Sequence, residues 1–334
     1  MEKRKGRGKK IARIVLSVLL VIVLLIGVIL YIVPLLESVD HDYVAGASDW
    51  MARLDGNLKL NQIVIPGTHD SATQYVGLPF FSRCQDLSIH EQLEAGFRYL
   101  DIRLGDDEKQ LKLMHGFVNC QTGPAIWNKR LYLENVVDQC DAFLKEHPTE
   151  TILFVVKQEH GDLPEAEFEK LMAAYVEQKP ERWLLTDRIP TLDAARGKIV
   201  LMRRYEDKAN LGAGAGIPLQ WKDQGGHDAV SLNAAVTEEN GYQLLVQDRY
   251  CYSTDDKWAA FTAGLEKSDT TGESISLHFL STKGTLPYGH PYYFAAKLNP
   301  RLAEYPLNPN SGWILVDFAT SKLAAHIYAA NFTK

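Results

Sequence analysis

Two histidines, an arginine and carboxylates follow short apolar stretches of this 334-residue chain. Apolar stretches of four to eight residues bounded by turn signals are typical of buried strands, so each strand would deliver polar side chains to a loop. The combination of these residue types indicates a site for a phosphodiester. The residues are His69 and Asp70 in IVIPGTHDSA (63–72), Asp101 and Arg103 in YLDIRL (99–104), and His115 in LKLMHG (111–116).

Cleavage of a phosphodiester by a neighbouring hydroxyl needs a base for that hydroxyl, an acid for the leaving alkoxide and a cation for the phosphate. Histidine suits both proton roles because its pKa lies near neutrality, and His69 and His115 can fill them. Arg103 can offer a permanently charged, planar fork to the non-bridging oxygens. A carboxylate that bonds the base would fix its tautomer, and the candidates are Asp70 and Asp317.

Asp101 and Arg103 lie two residues apart, so both point to one side of a strand. Alone they can be a structural ion pair, and a single histidine or aspartate at a strand end is more often a loop or capping residue. The interpretation as a catalytic site therefore depends on His69, His115 and Arg103 occurring together.

About eight strand-like segments alternate with helical ones, and this predicts an α/β fold, an irregular (β/α)8 TIM-type barrel. Active sites of such barrels lie at the C-terminal ends of the strands. We expect strands at 62–65, 98–103, 111–114, 151–156, 198–202, 243–246, 275–280 and 313–316, and helices at 88–95, 131–147 and 165–177. Polar residues that end apolar runs are His69, Arg103, His115, Lys157, Arg204, Asp248 and Asp317.

One N-terminal transmembrane helix is expected before the barrel, because residues 14–36 carry no charge and are long enough to span a bilayer. This stretch exceeds the apolar core of a cleaved signal peptide, although the tripeptide ending at Ala47 leaves cleavage there open. Seven Lys/Arg residues in 1–13 should keep the N-terminus in the cytoplasm. We therefore predict a basic cytoplasmic tail (1–13), a signal-anchor helix in the cell membrane (14–36), a linker (37–48) and an extracellular barrel domain (49–334).

Charge and cysteine content restrict the function further. The net charge of -6 combines +6 in residues 1–13 with -12 in the remainder, so the domain has no basic footprint for nucleic acid. Four cysteines show no metal-binding spacing. Cys140 falls on the apolar face of a predicted helix and should be a buried thiol. The disulfide state of Cys84, Cys120 and Cys251 cannot be read from the sequence.

The chain resembles the bacterial phosphatidylinositol-specific phospholipase C family of the X-domain type. The resemblance covers essentially all of residues 50–330 and is specific because its motifs occur in series. The motifs are IPGTHDSA (65–72), YLDIRL (99–104), LMHG (113–116), FLKEHPTETILFVVKQE (143–159), ARGKIVLMRRY (195–205), VQDRY (246–250), PYYFAAKLNP (291–300) and GWILVDF (312–318).

This resemblance implies a distorted barrel that cleaves phosphatidylinositol, or glycosyl-phosphatidylinositol, to diacylglycerol and inositol 1,2-cyclic phosphate. It makes His69 the general base oriented by Asp317, and His115 the general acid assisted by Asp70. Arg103, with Asp101 beside it, would stabilise the phosphate. The residues implied to bind the inositol are Lys157, Glu159, Arg204, Trp221, Asp248 and Tyr250.

No cofactor or obligate protein partner is expected. No metal is expected either, because the resemblance places Arg103 where eukaryotic relatives hold calcium, and its positive charge would repel a divalent cation. Two alternatives are a metal-dependent glycerophosphodiesterase-like barrel and a catalytically silent inositol-lipid binding module. Aromatic and apolar residues at 80–81 and 286–288 can contact lipid or pack in the core.

Overall fold

The computed structural model describes residues 2–108, 110–124, 127–161, 163–225, 235–239, 242–286 and 289–333. Strands make up one sheet that curls into a barrel. The strands are β1 (Ile65–Thr68), β2 (Tyr99–Asp107), β3 (Gln110–His115), β4 (Val118–Asn119), β5 (Ile152–Gln158), β6 (Trp183–Leu184), β7 (Ile199–Arg203), β8 (Ile217–Pro218), β9 (Ala235–Glu239), β10 (Tyr242–Gln247), β11 (Ser274–Phe279) and β12 (Trp313–Val316).

Helices connect the strands and cover the outside of the barrel, apart from the two at the N-terminus. The helices are α1 (Glu2–Gly27), α2 (Val33–Leu36), α3 (Pro79–Ser82), α4 (Ile89–Glu94), α5 (Leu133–Glu146), α6 (Glu165–Val176), α7 (Leu192–Ala195), α8 (Thr254–Leu265), α9 (Pro291–Glu304) and α10 (Ser321–Ala329).

The sheet has the parallel topology expected of an irregular TIM-type barrel. In the described part of the chain, eight strands form a parallel series in the order β6-β7-β5-β2-β1-β12-β11-β10, and the short β8 also pairs parallel with β7. No described strand pairing closes the barrel between its two edges. At the β10 edge, the side chain of Gln224, which follows β8 in the chain, donates its amide to Val246 O (3.0 Å) and accepts from Asp248 N (2.9 Å).

Alternation along each strand separates the inside of the barrel from the outer layer. On β2, Tyr99 belongs to the inner core, whereas Leu100 and Ile102 pack against the helices. On β5, Leu153 and Val155 are likewise in the inner core. The next residues of the inward series on these strands are polar, and they occupy the C-terminal mouth of the barrel: Asp101, Arg103 and Lys157.

The first strand begins later than predicted. Residues Leu60–Gln62 form a 3-10 helix, and β1 extends through the Pro-Gly pair that the sequence indicated as its end. Pro66 is tolerated because pairing with β2 starts only at Gly67, so its missing N–H falls outside that ladder. Glycine is required at position 67, since a Cβ there would lie 2.8 Å from the Tyr99 Cβ.

The sequence predicted that the strand ending at His115 is a parallel barrel strand. In the structure this strand is the second strand of a β-hairpin. β3 runs antiparallel to β2 with Leu104 opposite Leu113. The chain therefore extends beyond the barrel mouth and turns back before it reaches His115. Parallel strand ends explain the position of Arg103, but hairpin register explains that of His115.

A continuous helical segment precedes the barrel. It comprises α1, a π-helical turn (Val28–Ile32) and α2, and residues Gly8–Leu36 are long and apolar enough to cross a membrane. The cysteines Cys84, Cys120, Cys140 and Cys251 are buried free thiols, as predicted for Cys140.

Candidate active site

A polar cavity of about 320 Å³ opens at the C-terminal ends of the strands. It contains four of the six residues predicted to be catalytic: His69, Arg103, His115 and Asp317. Asp70 and Asp101 lie directly behind them and are almost completely buried. The structure therefore brings all six predicted residues together at the predicted end of the barrel.

His69 is held by the carboxylate of Asp317. Its Nδ1 lies 2.8 Å from Asp317 Oδ1, and its ring packs edge-on against Phe279 at 6.0 Å. Since a carboxylate only accepts, Nδ1 carries the proton and Nε2 remains for proton transfer. Burial lowers the pKa of His69, but the negative charges of Asp317 and Asp70 outweigh it, so the pKa is raised above its ordinary value.

Asp70 is shared by both histidines and the arginine. Its Oδ2 lies 3.2 Å from His69 Nε2 and 3.5 Å from His115 Nε2, while its Oδ1 lies 3.1 Å from Arg103 Nε. The backbone of Asp70 is left-handed, with φ 44°, a conformation that aspartate tolerates better than most residues. This turn at the end of β1 places one carboxylate between three cationic or titratable groups.

His115 is oriented from the side opposite to Asp70. Its Nδ1 donates to the carbonyl of Ser82 at 2.8 Å, so Nε2 is directed to Asp70. The Cys84 sulfur lies 3.8 Å from the same Nδ1. Burial raises the pKa of the Cys84 thiol well above its ordinary value, and the thiol therefore stays protonated beside His115.

Arg103 is fixed by three carboxylates. It contacts Asp101 Oδ2 at 3.0 Å and Glu159 Oε1 at 3.2 Å, in addition to Asp70. Burial raises the pKa of Asp101, but Arg103 and then Arg204 outweigh it and lower the value to about 2. Arg103 thus sits in a rigid, permanently charged arrangement at the cavity wall.

The predicted inositol-binding residues continue the polar lining of the same cavity from Arg103. Lys157 pairs with Glu159, which also accepts from Gly116 N at 3.1 Å. Arg204 lies over the Trp221 ring at 3.6 Å, and the Trp221 indole donates to Asp248 at 3.0 Å. Trp221 is therefore a support beneath Arg204; the cavity-lining members of the set are Lys157, Glu159, Arg204, Asp248 and Tyr250.

Several residues that hold this site were not singled out in the sequence. Asp223 accepts from the Tyr250 hydroxyl at 2.7 Å and lines the cavity. The buried Gln85 amide donates to His69 O at 2.8 Å and to Val316 O at 2.9 Å, thereby joining β1 and β12 beside the catalytic pair. Neither belongs to an apolar run that ends in charge, so the pattern used for the other residues could not identify them.

The aromatic pair at 80–81 is packed in the rim rather than free. Phe80 stacks on His290 at 4.3 Å, and both phenylalanines are partly buried. Leu286 is 69% exposed, whereas Pro287 and Tyr288, which belong to the same predicted lipid contact, lie outside the described residues.

Among the described residues, His69, Asp70 and Cys84 offer ligand atoms close enough together to hold a metal ion. Their chemistry fits one poorly. Cys84 is a neutral thiol, and Asp70 already lies at ion-pair distance from Arg103, 3.1 Å. Calcium takes six to eight oxygen ligands. The other carboxylates of the site are already engaged, Asp317 by His69 and both Asp101 and Glu159 by Arg103.

Comparisons of the sequence and the fold relate this chain to a known group of proteins. Residues 62–205 match the model of the phosphatidylinositol-specific phospholipase C X domain. A 1-phosphatidylinositol phosphodiesterase of Staphylococcus aureus is 27% identical over 291 residues, which cover 81% of this chain and 88% of the relative. Its namesake in Listeria monocytogenes is 26% identical over 300 residues, which cover 84% of each chain.

Solved structures agree with these sequence relatives. A structure of the Staphylococcus aureus phosphatidylinositol-specific phospholipase C superposes with a TM-score of 0.67 at 25% identity and covers 84% of this chain and 97% of its own. The Listeria monocytogenes enzyme shares the fold, with a TM-score of 0.63 at 21% identity. Over more than four fifths of its length the chain is therefore similar to bacterial phosphatidylinositol-specific phospholipases C, and residues 62–205 match the X domain of that family.

Proposed function

We propose that this protein is a phosphatidylinositol diacylglycerol-lyase. It cleaves phosphatidylinositol through attack of the inositol 2-hydroxyl on phosphorus, with diacylglycerol and inositol 1,2-cyclic phosphate as products. The observation that carries the proposal is the sharing of one carboxylate, Asp70, by His69, His115 and Arg103. This arrangement supplies a base, an acid and a phosphate cation within one cavity.

His69 Nε2 takes the proton of the 2-hydroxyl as the bond from that oxygen to phosphorus forms. Asp317 stabilises the resulting imidazolium through Nδ1. The bond from phosphorus to the glycerol oxygen breaks, and protonated His115 gives its Nε2 proton to that oxygen. Arg103 faces the charge on the non-bridging oxygens and costs no reorganisation because three carboxylates already hold it. Proton exchange with water then restores both histidines.

The inositol ring occupies the part of the cavity lined by Lys157, Arg204 and Asp248. Alternating positive and negative groups suit a ring of hydroxyls, each of which donates one hydrogen bond and accepts others. Arg204 and the Trp221 beneath it form one wall. Tyr250 and Glu159 complete the set, and phosphatidylinositol is the only partner that this reaction needs.

We propose that catalysis uses no metal ion or cofactor, since Arg103 supplies the positive charge at the phosphate. The domain lies outside the cell membrane, held by the helix at 14–36 with its basic tail in the cytoplasm. The domain limits proposed are 1–13, 14–36, 37–48 and 49–334, with the transmembrane helix retained.

The test uses the full chain in nanodiscs that contain phosphatidylinositol, with diacylglycerol measured by mass spectrometry in excess chelator and in calcium. Turnover in chelator is expected. Turnover only with calcium would assign the protein to the metal-dependent alternatives, and release of glycerol phosphate from glycerophosphodiesters would favour the glycerophosphodiesterase reading. Binding of inositol lipid without turnover in either condition would leave a binding module.

A further inference from the structure

The apolar N-terminal helix ends against the rim of the active site. Tyr31 donates its hydroxyl proton to Pro124 O at 2.8 Å. The buried Arg83 side chain donates to Pro34 O at 2.5 Å and to Glu37 O at 2.7 Å, and so clamps the last turn of the helix. Glu37 also lies 2.8 Å from His290 Nε2. The helix end is therefore bonded to three separate parts of the rim.

The segment that receives the helix also holds a catalytic candidate. α3 and the residues after it contain Phe81, which lines the cavity, and Ser82, whose carbonyl bonds His115. Arg83 follows directly and carries the clamp. The C-terminal end of the N-terminal helix and the proposed acid His115 are thus both held by Ser82 and Arg83, which are adjacent in the chain.

The linker between the helix and the barrel contains little slack. Val39 N donates to Asp86 at 2.9 Å, Asp40 pairs with Lys322, and Val44 N donates to Ser321 at 2.9 Å. These contacts carry the linker along the outside of the barrel to the 3-10 helix Ala47–Arg53. Trp50 of that helix bonds Gly96 O at the N-terminal end of the barrel. The linker, which we call the strap, is therefore fixed to the barrel domain and is not a flexible tether.

Large apolar side chains are exposed around the same mouth. The exposed fractions are 46% for Leu78, 64% for Phe117, 82% for Trp127 and 69% for Leu286. Leu78 precedes α3, Phe117 follows His115, and Trp127 lies in the loop that Tyr31 contacts through Pro124. Exposed aromatic and aliphatic side chains at the level where a helix leaves a bilayer fit the lipid–water interface.

We propose that the helix end, the strap and this rim form a fixed mount, which holds the mouth of the active site against the membrane that the helix spans. The consequence is specific to a lipid substrate: the enzyme acts on lipid of its own membrane, in cis, with the glycerol portion still in the bilayer. This inference rests on the proposed function for its substrate, but the orientation stands on the contacts alone.

Orientation is measured on the full chain in nanodiscs, with intact mass used to verify that residues 1–36 are retained. Because the four native cysteines are buried, one engineered surface cysteine can be labelled with bimane. Lys129→Cys reports the rim, and Glu181→Cys, ahead of β6, reports the opposite end. A nitroxide on the lipid headgroup should quench bimane at 129 severalfold more than at 181. Equal quenching at both positions, or loss of the helix by cleavage near Ala47, would overturn the mount.

A flexible 12-residue Gly-Ser insertion between Leu36 and Glu37 tests the strap, and the same insertion between Asp187 and Arg188 is the matched control. The first should reduce quenching at 129 severalfold and let the enzyme cleave lipid in separate vesicles. Unchanged quenching at 129 would show that the barrel surface alone sets the orientation, and it would contradict the mount. Quenching needs no turnover, so failure of the proposed function would be recognised separately as absent diacylglycerol.

Discussion

At the scale of single residues, the structure distinguishes the two histidines by their partners. His69 is bonded to a carboxylate, which favours a base that becomes positively charged, whereas His115 is bonded to the carbonyl of Ser82. Both reach the same oxygen of Asp70. A proton taken by one histidine is therefore partly balanced by the proton lost from the other.

The roles can be separated with two substrates. His115→Ala should lower the rate on phosphatidylinositol by about 10²–10⁴-fold, but by roughly tenfold or less on an inositol nitrophenyl phosphate, whose leaving group needs no proton. His69→Ala should lower both rates by about 10²–10⁴-fold. The measurement is steady-state kinetics with both substrates, and His326→Ala on α10 is the control. Equal losses for the two variants on the aryl ester would contradict the assignment of acid and base.

The charge of Asp317 should appear in the pH profile. Asp317 and Asp70 raise the pKa of His69, and a base must be neutral to act, so the acidic limb of kcat/KM reports this pKa. Asp317→Asn removes the negative charge that raises the pKa of His69 most, so burial then lowers this pKa. The limb should move to lower pH while the rate falls, on the order of 10³–10⁴-fold. A limb that stays in place or moves to higher pH would show that Asp317 does not act on the base.

At the scale of elements, the most strongly buried ion pair lies at the barrel end opposite the site. Arg98, directly before β2, contacts Glu150 at 2.9 Å, and both side chains are fully buried. Glu150 also accepts from Met51 N and Ala52 N. The pair thus joins β2, the turn before β5 and the 3-10 helix at the end of the strap.

Removal of one partner should be costly because the other charge stays buried. Arg98→Ala is expected to lower the free energy of unfolding by about 3–5 kcal/mol. Arg301→Ala, which breaks an exposed pair with Asp255, should cost about 1 kcal/mol or less. Chemical denaturation of both variants measures the difference. Similar losses would mean that the pair at the barrel base is not a critical contact.

Element patterns explain which parts of the site could be predicted. Every second residue of a barrel strand points inward, and the first such position beyond the apolar core lies at the mouth of the barrel. On β2, β5, β7 and β10 this rule predicts the positions of Arg103, Lys157, Arg204 and Asp248. His115 was predicted to be near the site for the wrong reason, since an antiparallel hairpin brings it back. The contacts of Gln85, Asp223 and Arg83 join segments far apart in sequence, and no local period encodes such pairings.

At the scale of the whole molecule, the charge distribution predicts how the enzyme reaches lipid. Residues after the basic tail carry a net charge of -12, so anionic lipid gives no general attraction, in contrast to polybasic surfaces. Replacement of phosphatidylcholine by phosphatidylserine in the nanodisc should change the rate by about twofold or less. Rates across a salt series provide the check. A steep loss of activity with salt would indicate electrostatic recruitment instead.

In the proposed reaction, two histidines drive an intramolecular attack with no metal. Phosphorus NMR of the full chain acting on phosphatidylinositol in excess chelator tests it most directly. We expect an inositol 1,2-cyclic phosphate signal that is lost in His69→Ala and in His115→Ala. Direct appearance of inositol 1-phosphate without the cyclic species, or formation of product only after calcium is restored, would contradict it.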